Sequence, residues 1–295
     1  MPIPLKDNVP TLRLPIVTIL LIVVNVGFYI WQLSSPTDRY ASATLERLDL
    51  NQRDERAVAY GAIPYRLLHP GKECAAGVTN GSSGLEADIV CEGTVAYRQA
   101  ASSGRPFEPL DQAPWYATVF TSMFMHGGIF HIVFNMLFLW IFGNNIEDAM
   151  GRPRFLLFYL LAGLVAVYSQ SLLDPASTVP TIGASGAVAG VLGAYLILLP
   201  RAKILTLIFL IFFVTLVEIP AWAMLGVWFL LQFLPAVGQV AVPGVSGDGV
   251  AYLAHVGGFL FGLAMVKLFV LGRPEIGTRP PGPGAEQAAP SAAAG

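Results

Sequence analysis

The segment GIFHIVFNMLFLWIFGNNI, residues 128–146, decides the fold class. It contains no charged side chain and is about as long as a helix must be to cross the hydrocarbon core of a bilayer. In its first half, the polar side chains of His131 and Asn135 interrupt the apolar run and lie at positions i and i+4, on one face of a helix. Because polar groups inside a membrane are costly, this pair indicates a position with a function.

The composition of the whole chain is that of a membrane protein. Of 295 residues, 55% are hydrophobic and 12% are charged, and the mean hydropathy is +0.62. Soluble domains carry about 25% charged residues. The 17 basic residues do not exceed the 19 acidic ones, so the chain lacks the positive excess that binds phosphates. These numbers predict the lipid bilayer as a partner and exclude nucleic acid.

Six apolar runs are predicted to cross the membrane as helices. They are residues 15–33, 128–146, 155–173, 185–199, 221–237 and 250–271. A further apolar stretch, residues 204–217, is only 14 residues long. We expect it to be an interfacial or re-entrant connection, because a second crossing between the fourth and last runs would place the starts of those two runs at opposite membrane faces.

Charge and composition divide the chain into four segments. Basic residues flank the first and last runs and fill two short connections, while the connections 174–184 and 238–249 contain no Lys or Arg. This asymmetry predicts cytoplasmic N- and C-termini. The segments are an N-terminus with the first span (1–33), an extracytoplasmic insertion (34–114), a core with spans two to six (115–272) and a disordered cytoplasmic tail rich in Pro, Gly and Ala (273–295).

The insertion contains both cysteines, Cys74 and Cys91, and a glycine-rich stretch at residues 77–84 that favours a flexible turn. No CxxC pair or neighbouring His accompanies the cysteines, so a structural zinc site is not predicted. If the insertion faces an oxidising compartment, a single disulfide is the natural expectation. Two unpaired thiols are the alternative, because sequence does not reveal the geometry.

Three motifs carry polar residues into the apolar spans. They are His131 to Asn135 (HIVFN), residues 183–186 (GASG, with Ser185) and residues 254–262 (AHVGGFLFG, with His255). Each motif alone is weak evidence of catalysis. HxxxN can serve only to form an interhelical hydrogen bond, and a single His can be a packing residue. GASG is followed by Ala187 instead of the glycine that completes the GxSxG nucleophile turn of soluble hydrolases. Together and in this order they resemble the rhomboid family, which has HxxxN on the second span, GxSG at the start of the fourth and AHxxGxxxG on the last. The resemblance covers about residues 115–270 and the first span.

The resemblance implies an all-α membrane protein, a six-transmembrane-helix rhomboid bundle with a long extramembrane loop between spans one and two. It implies an intramembrane serine endopeptidase that hydrolyses peptide bonds in or near transmembrane segments of other proteins, in a bacterial inner (plasma) membrane. Ser185 is then the nucleophile and His255 the base, because a serine hydroxyl needs a neighbouring base to become reactive. His131, Asn135 and the Ser185 N–H bind the oxyanion. No acidic residue lies in the spans near His255, so a dyad is expected, without metal or cofactor.

The chain departs from the family pattern at two positions. Some members have an aromatic ring four residues after the serine, beneath the histidine, whereas this chain has Ala189. The orientation of His255 must then depend on other packing. Many members also follow the tryptophan before the second span with arginine, whereas Trp115 is followed here by Tyr116.

Other functions fit the sequence less well. A catalytically silent rhomboid relative would bind or escort transmembrane clients, but such proteins usually lack the serine or the histidine. A transporter would need polar residues at mid-membrane, whereas those here cluster toward one face. A metalloprotease needs HExxH, which is absent. An aspartyl protease needs GxGD, and residues 245–248 read VSGD.

Overall fold

The computed structural model describes residues 3–34, 52–81, 84–104, 107–210, 213–241 and 249–273. The helices are α1 (Ile16–Leu33), α2 (Gln52–Tyr60), α3 (Pro64–Leu68), α4 (Val95–Ser102), α5 (Trp115–Thr121), α6 (Ile129–Met150), α7 (Arg152–Leu173), α8 (Ser185–Leu198), α9 (Ala221–Ala241) and α10 (Tyr252–Phe269). The strands are β1 (Ile3–Asp7), β2 (Cys74–Gly81), β3 (Gly84–Cys91), β4 (Phe107–Pro109), β5 (Lys203–Leu210) and β6 (Phe213–Pro220).

A helical bundle forms the core, as the hydropathy predicts. Helices α1, α6, α7, α9 and α10 have 18 to 22 residues each and are long and apolar enough to cross a membrane. Helix α8 is shorter, with 14 residues, and every residue from Gly186 to Tyr195 is buried. At 1.5 Å per residue, α8 measures about 21 Å, less than the roughly 30 Å hydrocarbon core. A helix of this length does not span the hydrocarbon core, so at least one of its ends must lie below a membrane surface.

Glycines bring α8 against α10. A Cβ atom on Gly258 would collide with the carbonyl oxygen of Gly186, and one on Gly262 would collide with that of Gly190. Larger side chains would push the two backbones apart, as in other small-residue helix pairs. The close crossing sets the first turn of α10, which carries His255, beside the first turn of α8, which carries Ser185.

The carboxylate of Glu147, near the end of α6, fastens α1 to the bundle. It accepts hydrogen bonds from the backbone N–H groups of Val17 (3.0 Å) and Thr18 (2.7 Å) and from the Thr18 hydroxyl (2.8 Å). The Arg152 guanidinium is farther away, with Nε 3.9 Å from the carboxylate. Glu147 therefore acts mainly as a cap on the start of α1, where a negative charge is favourable.

The connection after α8 is a β-hairpin that does not cross the bundle as a helix. Strand β5 pairs with β6 and, through its other edge, with β1 from the N-terminus, so the sheet order is β1-β5-β6. Asp7 joins this sheet to the bundle by accepting from the Tyr195 hydroxyl and the Asn145 amide, each at 2.6 Å. The non-crossing connection agrees with the sequence expectation, but the sheet was not predicted.

The insertion contains a second sheet, in the order β3-β2-β4. The expected flexible turn at residues 77–84 is wrong over most of its length, because β2 continues to Gly81 and β3 begins at Gly84. Backbone pairing between β2 and β3 holds the glycines of this stretch in an extended conformation. Cys74 and Cys91 are opposite each other at the open end of the β2–β3 pair and are joined by a disulfide.

Three sequence predictions concern residues outside those that the structure describes. They are the first part of the insertion (35–51), the VSGD sequence (245–248) and the tail (273–295) apart from Arg273.

Candidate active site

Ser185 and His255 form a direct side-chain pair. The Ser185 Oγ lies 2.7 Å from the His255 Nε2, a hydrogen-bond distance. Ser185 is the first residue of α8 and His255 lies in the first turn of α10, so the glycine-mediated helix crossing produces the pair. In this geometry the imidazole can accept the serine proton, the step that makes a serine hydroxyl nucleophilic.

The loop before Ser185 has a conformation that requires glycine. Gly183 has φ +121°, and its N–H donates to the carbonyl of Ser122 at 2.8 Å. A Cβ atom there would lie 2.7 Å from the Nε2 of His131. The His131 ring therefore packs directly on the residue two positions before Ser185. The first N–H groups of α8 have no acceptor within their own helix, so they are available to a bound oxyanion.

His131 and Asn135 lie on the same face of α6, as their spacing predicts. The N–H of Gly127 lies 3.4 Å from the His131 Nδ1, and the Asn135 Nδ2 donates to the carbonyl of His131 at 3.0 Å. Asn135 is thus bonded to its own helix here. Both residues line the cavity that contains Ser185.

This cavity has a volume of about 940 Å³. The four residues singled out from the sequence all line it, together with the connection 174–182 and Asp88 of the insertion. Ala176, Val179 and Pro180 are among the residues of that connection that form one wall. The cavity is large enough for a peptide segment and has apolar walls with a few polar groups, the usual character of a binding site.

Gln232 is a polar partner that the sequence analysis missed. Its Oε1 lies 2.7 Å from the His255 Nδ1, on the opposite side of the ring from Ser185. Two further amides, Gln170 and Gln239, also line the cavity. The signal was present for Gln170 and Gln232, because each is an uncharged polar residue in a predicted apolar span and such residues mark functional positions. Gln239 lies just beyond the predicted fifth span.

The ring of His255 is also packed by aromatic side chains. Its centroid lies 6.1 Å from that of Trp228 and 6.5 Å from that of Tyr252. Ala189, at the position where some rhomboids have an aromatic ring, is fully buried. The ring of Trp228 on α9 therefore packs near His255 in place of a ring from α8. Among the described residues, no group of three or more His, Cys, Asp or Glu side chains could hold a metal ion.

Comparison with known proteins identifies the family of this chain. The sequence model of the Rhomboid domain matches residues 113–272, more than half of the chain. The chain belongs to the rhomboid family. The match includes His131, Asn135, Ser185, Gln232 and His255, so this rhomboid has its candidate catalytic residues inside the family domain.

Relatives of this rhomboid occur in several lineages. Rhomboid protein 1, mitochondrial, of Saccharomyces cerevisiae is 32% identical over 151 residues, 50% of this chain and 40% of the yeast protein. Rhomboid protease GluP of Bacillus subtilis is 41% identical over 85 residues, 29% of this chain and 16% of GluP. RHOMBOID-like protein 1 of Arabidopsis thaliana is 33% identical over 159 residues, 54% of this chain and 36% of the plant protein. The chain thus spans less than half the length of these relatives, of which one is named a protease.

Proposed function

We propose that this rhomboid is an intramembrane serine endopeptidase in which Ser185 attacks the peptide carbonyl and His255 is the general base. The observation that supports the proposal most strongly is the 2.7 Å contact between Ser185 Oγ and His255 Nε2 at the wall of a large cavity. The proposed substrates are transmembrane segments of other membrane proteins, because Ser185 begins a helix too short to span the hydrocarbon core, and a nucleophile inside the membrane is reached by segments that diffuse laterally in the bilayer.

The first step transfers the Ser185 proton to His255 Nε2 as Oγ bonds to the carbonyl carbon. The carbonyl oxygen becomes an oxyanion beside the start of α8. The Ser185 N–H and the His131 side chain donate hydrogen bonds to it, and Asn135 joins them when its amide leaves the carbonyl of its own helix. These donors act on charge that is absent from the bound substrate, so they stabilise the transition state.

The second step cleaves the carbon–nitrogen bond. His255 gives its proton to the departing amine, which leaves Ser185 as an ester of the N-terminal fragment. Water then transfers a proton to His255 as it attacks the ester carbonyl, and Ser185 is released. The original serine proton leaves with the amine product, and His255 passes the proton taken from water to the Ser185 Oγ, so the side chains and water suffice for the reaction.

The competing function is a silent rhomboid that binds or escorts transmembrane clients. It is less well supported, because a binding protein has no need of a serine and a histidine in hydrogen-bond contact. Purified protein in liposomes with a single-span model substrate tests the difference. The wild type should cleave it, while Ser185→Ala and His255→Ala should each bind but not cleave, because the pair acts as one unit. Cleavage by Ser185→Ala would reject the proposal.

We further propose a bacterial plasma membrane location with both termini in the cytoplasm, so that the cavity and the Cys74–Cys91 disulfide face outward. The matched relatives include proteins of Bacillus subtilis as well as mitochondrial ones. Alkylation of intact cells with an impermeant thiol reagent tests this topology. The two cysteines should react only after an impermeant reductant is added, and reaction only after the membrane is permeabilised would reverse the orientation.

A further inference from the structure

The imidazole of His255 is held between two hydrogen-bond partners from different helices. Ser185, on α8, faces Nε2 at 2.7 Å, and Gln232, on α9, faces Nδ1 at 2.7 Å. The neighbours of Gln232 along α9, Leu231, Phe233 and Leu234, are exposed on the outside of the bundle, where lipid lies. An amide in such a helix is costly unless a polar group receives it, and His255 provides that group.

The partner on Nδ1 determines which nitrogen can act as the base. The Gln232 Oε1 is an acceptor, so the hydrogen of a neutral imidazole must be on Nδ1. Nε2 then has its lone pair directed at the Ser185 hydroxyl, as a general base requires. We propose that Gln232 is a positioning residue that holds His255 in the Nδ1-protonated tautomer. This inference deepens the proposed function and depends on it for its catalytic consequence.

The same contact becomes stronger as the reaction proceeds. Once His255 has taken the serine proton, both ring nitrogens carry hydrogen and the ring is positively charged. The Gln232 oxygen then accepts from a cation, and such charge-assisted bonds are stronger than neutral ones. An interaction that strengthens on the way to the transition state raises kcat more than it improves substrate binding.

Helix α9 also supplies the packing that supports this orientation. Trp228 lies one turn before Gln232 on the same face, and its ring is 6.1 Å from that of His255. Ala189 offers no ring at the position that some rhomboids use for this purpose. His255 is therefore oriented to act as a base only when α9 is packed against α10. Through Trp228 and Gln232, the fifth span positions His255 as well as forming a wall of the cavity.

Steady-state kinetics of two variants at this position test the inference. Gln232→Leu removes the acceptor and should lower kcat by about 10- to 100-fold, the effect of losing a hydrogen bond to a charged group, with KM little changed. Gln232→Glu retains an acceptor, and because a carboxylate can only accept, it should restore most of kcat. Leu231→Ala, at the adjacent lipid-facing position, is the control and should behave as the wild type. A Gln232→Leu enzyme with unchanged kcat would overturn the proposal, and so would a Gln232→Glu enzyme as slow as Gln232→Leu.

A second measurement does not need activity. Nitrogen NMR of histidine-labelled protein distinguishes protonated from unprotonated ring nitrogens, and His255→Asn identifies the signals of His255. The wild type and Gln232→Glu should show hydrogen on Nδ1, whereas Gln232→Leu should lose this preference. An identical tautomer in Gln232→Leu would overturn the inference. A wild type that shows the Nδ1 tautomer but cleaves no substrate would instead reject the proposed function and leave the positioning by Gln232 intact.

Discussion

Ala62 and Thr181 exchange two backbone hydrogen bonds, from Ala62 N to Thr181 O at 3.1 Å and from Thr181 N to Ala62 O at 2.8 Å. A third bond, from the N–H of Tyr65 to the carbonyl of Ser177 at 3.0 Å, lies close by. These bonds join the insertion to the connection that precedes Ser185 and lines the cavity. The insertion therefore supports one wall of the candidate active site.

Gly61→Ala should disturb this wall. A Cβ atom on Gly61 would lie 2.9 Å from Ile182 Cγ2 and 2.9 Å from Pro180 Cβ and would collide with the carbonyl of Ala57. We expect kcat/KM to fall about 10-fold, because overpacking of this kind costs about 1–3 kcal/mol. Gly27→Ala is the matched control, since a Cβ atom there meets nothing within 4 Å. Equal cleavage rates for the two variants would show that the insertion does not support the site.

Gly183→Ala should abolish turnover while the bundle still folds. The new methyl group would have to displace the His131 ring, and the φ of +121° is unfavourable for any residue except glycine. Gly71→Ala separates the effect of the positive φ from that of the clash with His131. Gly71 also has a positive φ (+84°), but a Cβ atom there meets nothing within 4 Å. Activity and melting temperature should both be measured. A Gly183→Ala protein that retains wild-type kcat would place His131 and the preceding loop outside the reaction.

Asn135→Ala should slow the chemical step more than it weakens substrate binding. Loss of one oxyanion donor typically lowers kcat by about 100- to 1,000-fold. The alternative role is structural, since Asn135 is buried and bonds the carbonyl of His131 in its own helix. Kinetics and melting temperature on the same preparation distinguish the two roles. A destabilised variant with normal kcat would remove Asn135 from the catalytic group.

The helices and the Ser185–His255 pair could be predicted from sequence for physical reasons. A bilayer requires long apolar runs, so the predicted starts and ends lie within about four residues of the observed ones. Each of the three motifs lies at or near the same end of its helix, so the motifs come together when those helices pack side by side. Gly258 and Gly262 already indicated which helices would pack closely.

Other features depend on contacts that a linear pattern does not specify. The pairing of β1 with β5 joins residues about 200 positions apart, such as Ile3 and Leu207. The contact of Gln232 with His255 depends on how α9 is rotated against α10, and apolar residues all round α9 do not define that rotation. In the insertion, residues with weak strand propensity such as Gly77 and Gly81 become strands because β3 pairs with them.

The carboxylate of Asp7 should make stability depend on pH. Burial raises its pKa above the ordinary value, although the hydrogen bond from Tyr195 opposes the shift. The folded protein then binds this proton more tightly than the unfolded chain, so the Asp7 contribution to stability declines as pH rises through the pKa of the folded state. Asp7→Asn should remove this decline and retain an acceptor for Tyr195. Asp7→Ala should lower stability by about 1–3 kcal/mol, because Tyr195 and Asn145 lose their acceptor. Equal pH profiles of melting temperature for the wild type and Asp7→Asn would contradict this account.

The most direct test of the Ser185–His255 mechanism is covalent labelling by a fluorophosphonate, followed by mass spectrometry of the modified peptide. Such a reagent reacts with a serine that a base has activated, and it requires no knowledge of the natural substrate. We expect one adduct per chain, on Ser185, with no adduct in Ser185→Ala and very slow labelling in His255→Ala. An unlabelled wild type, or labelling that persists at the same rate in His255→Ala, would contradict the mechanism.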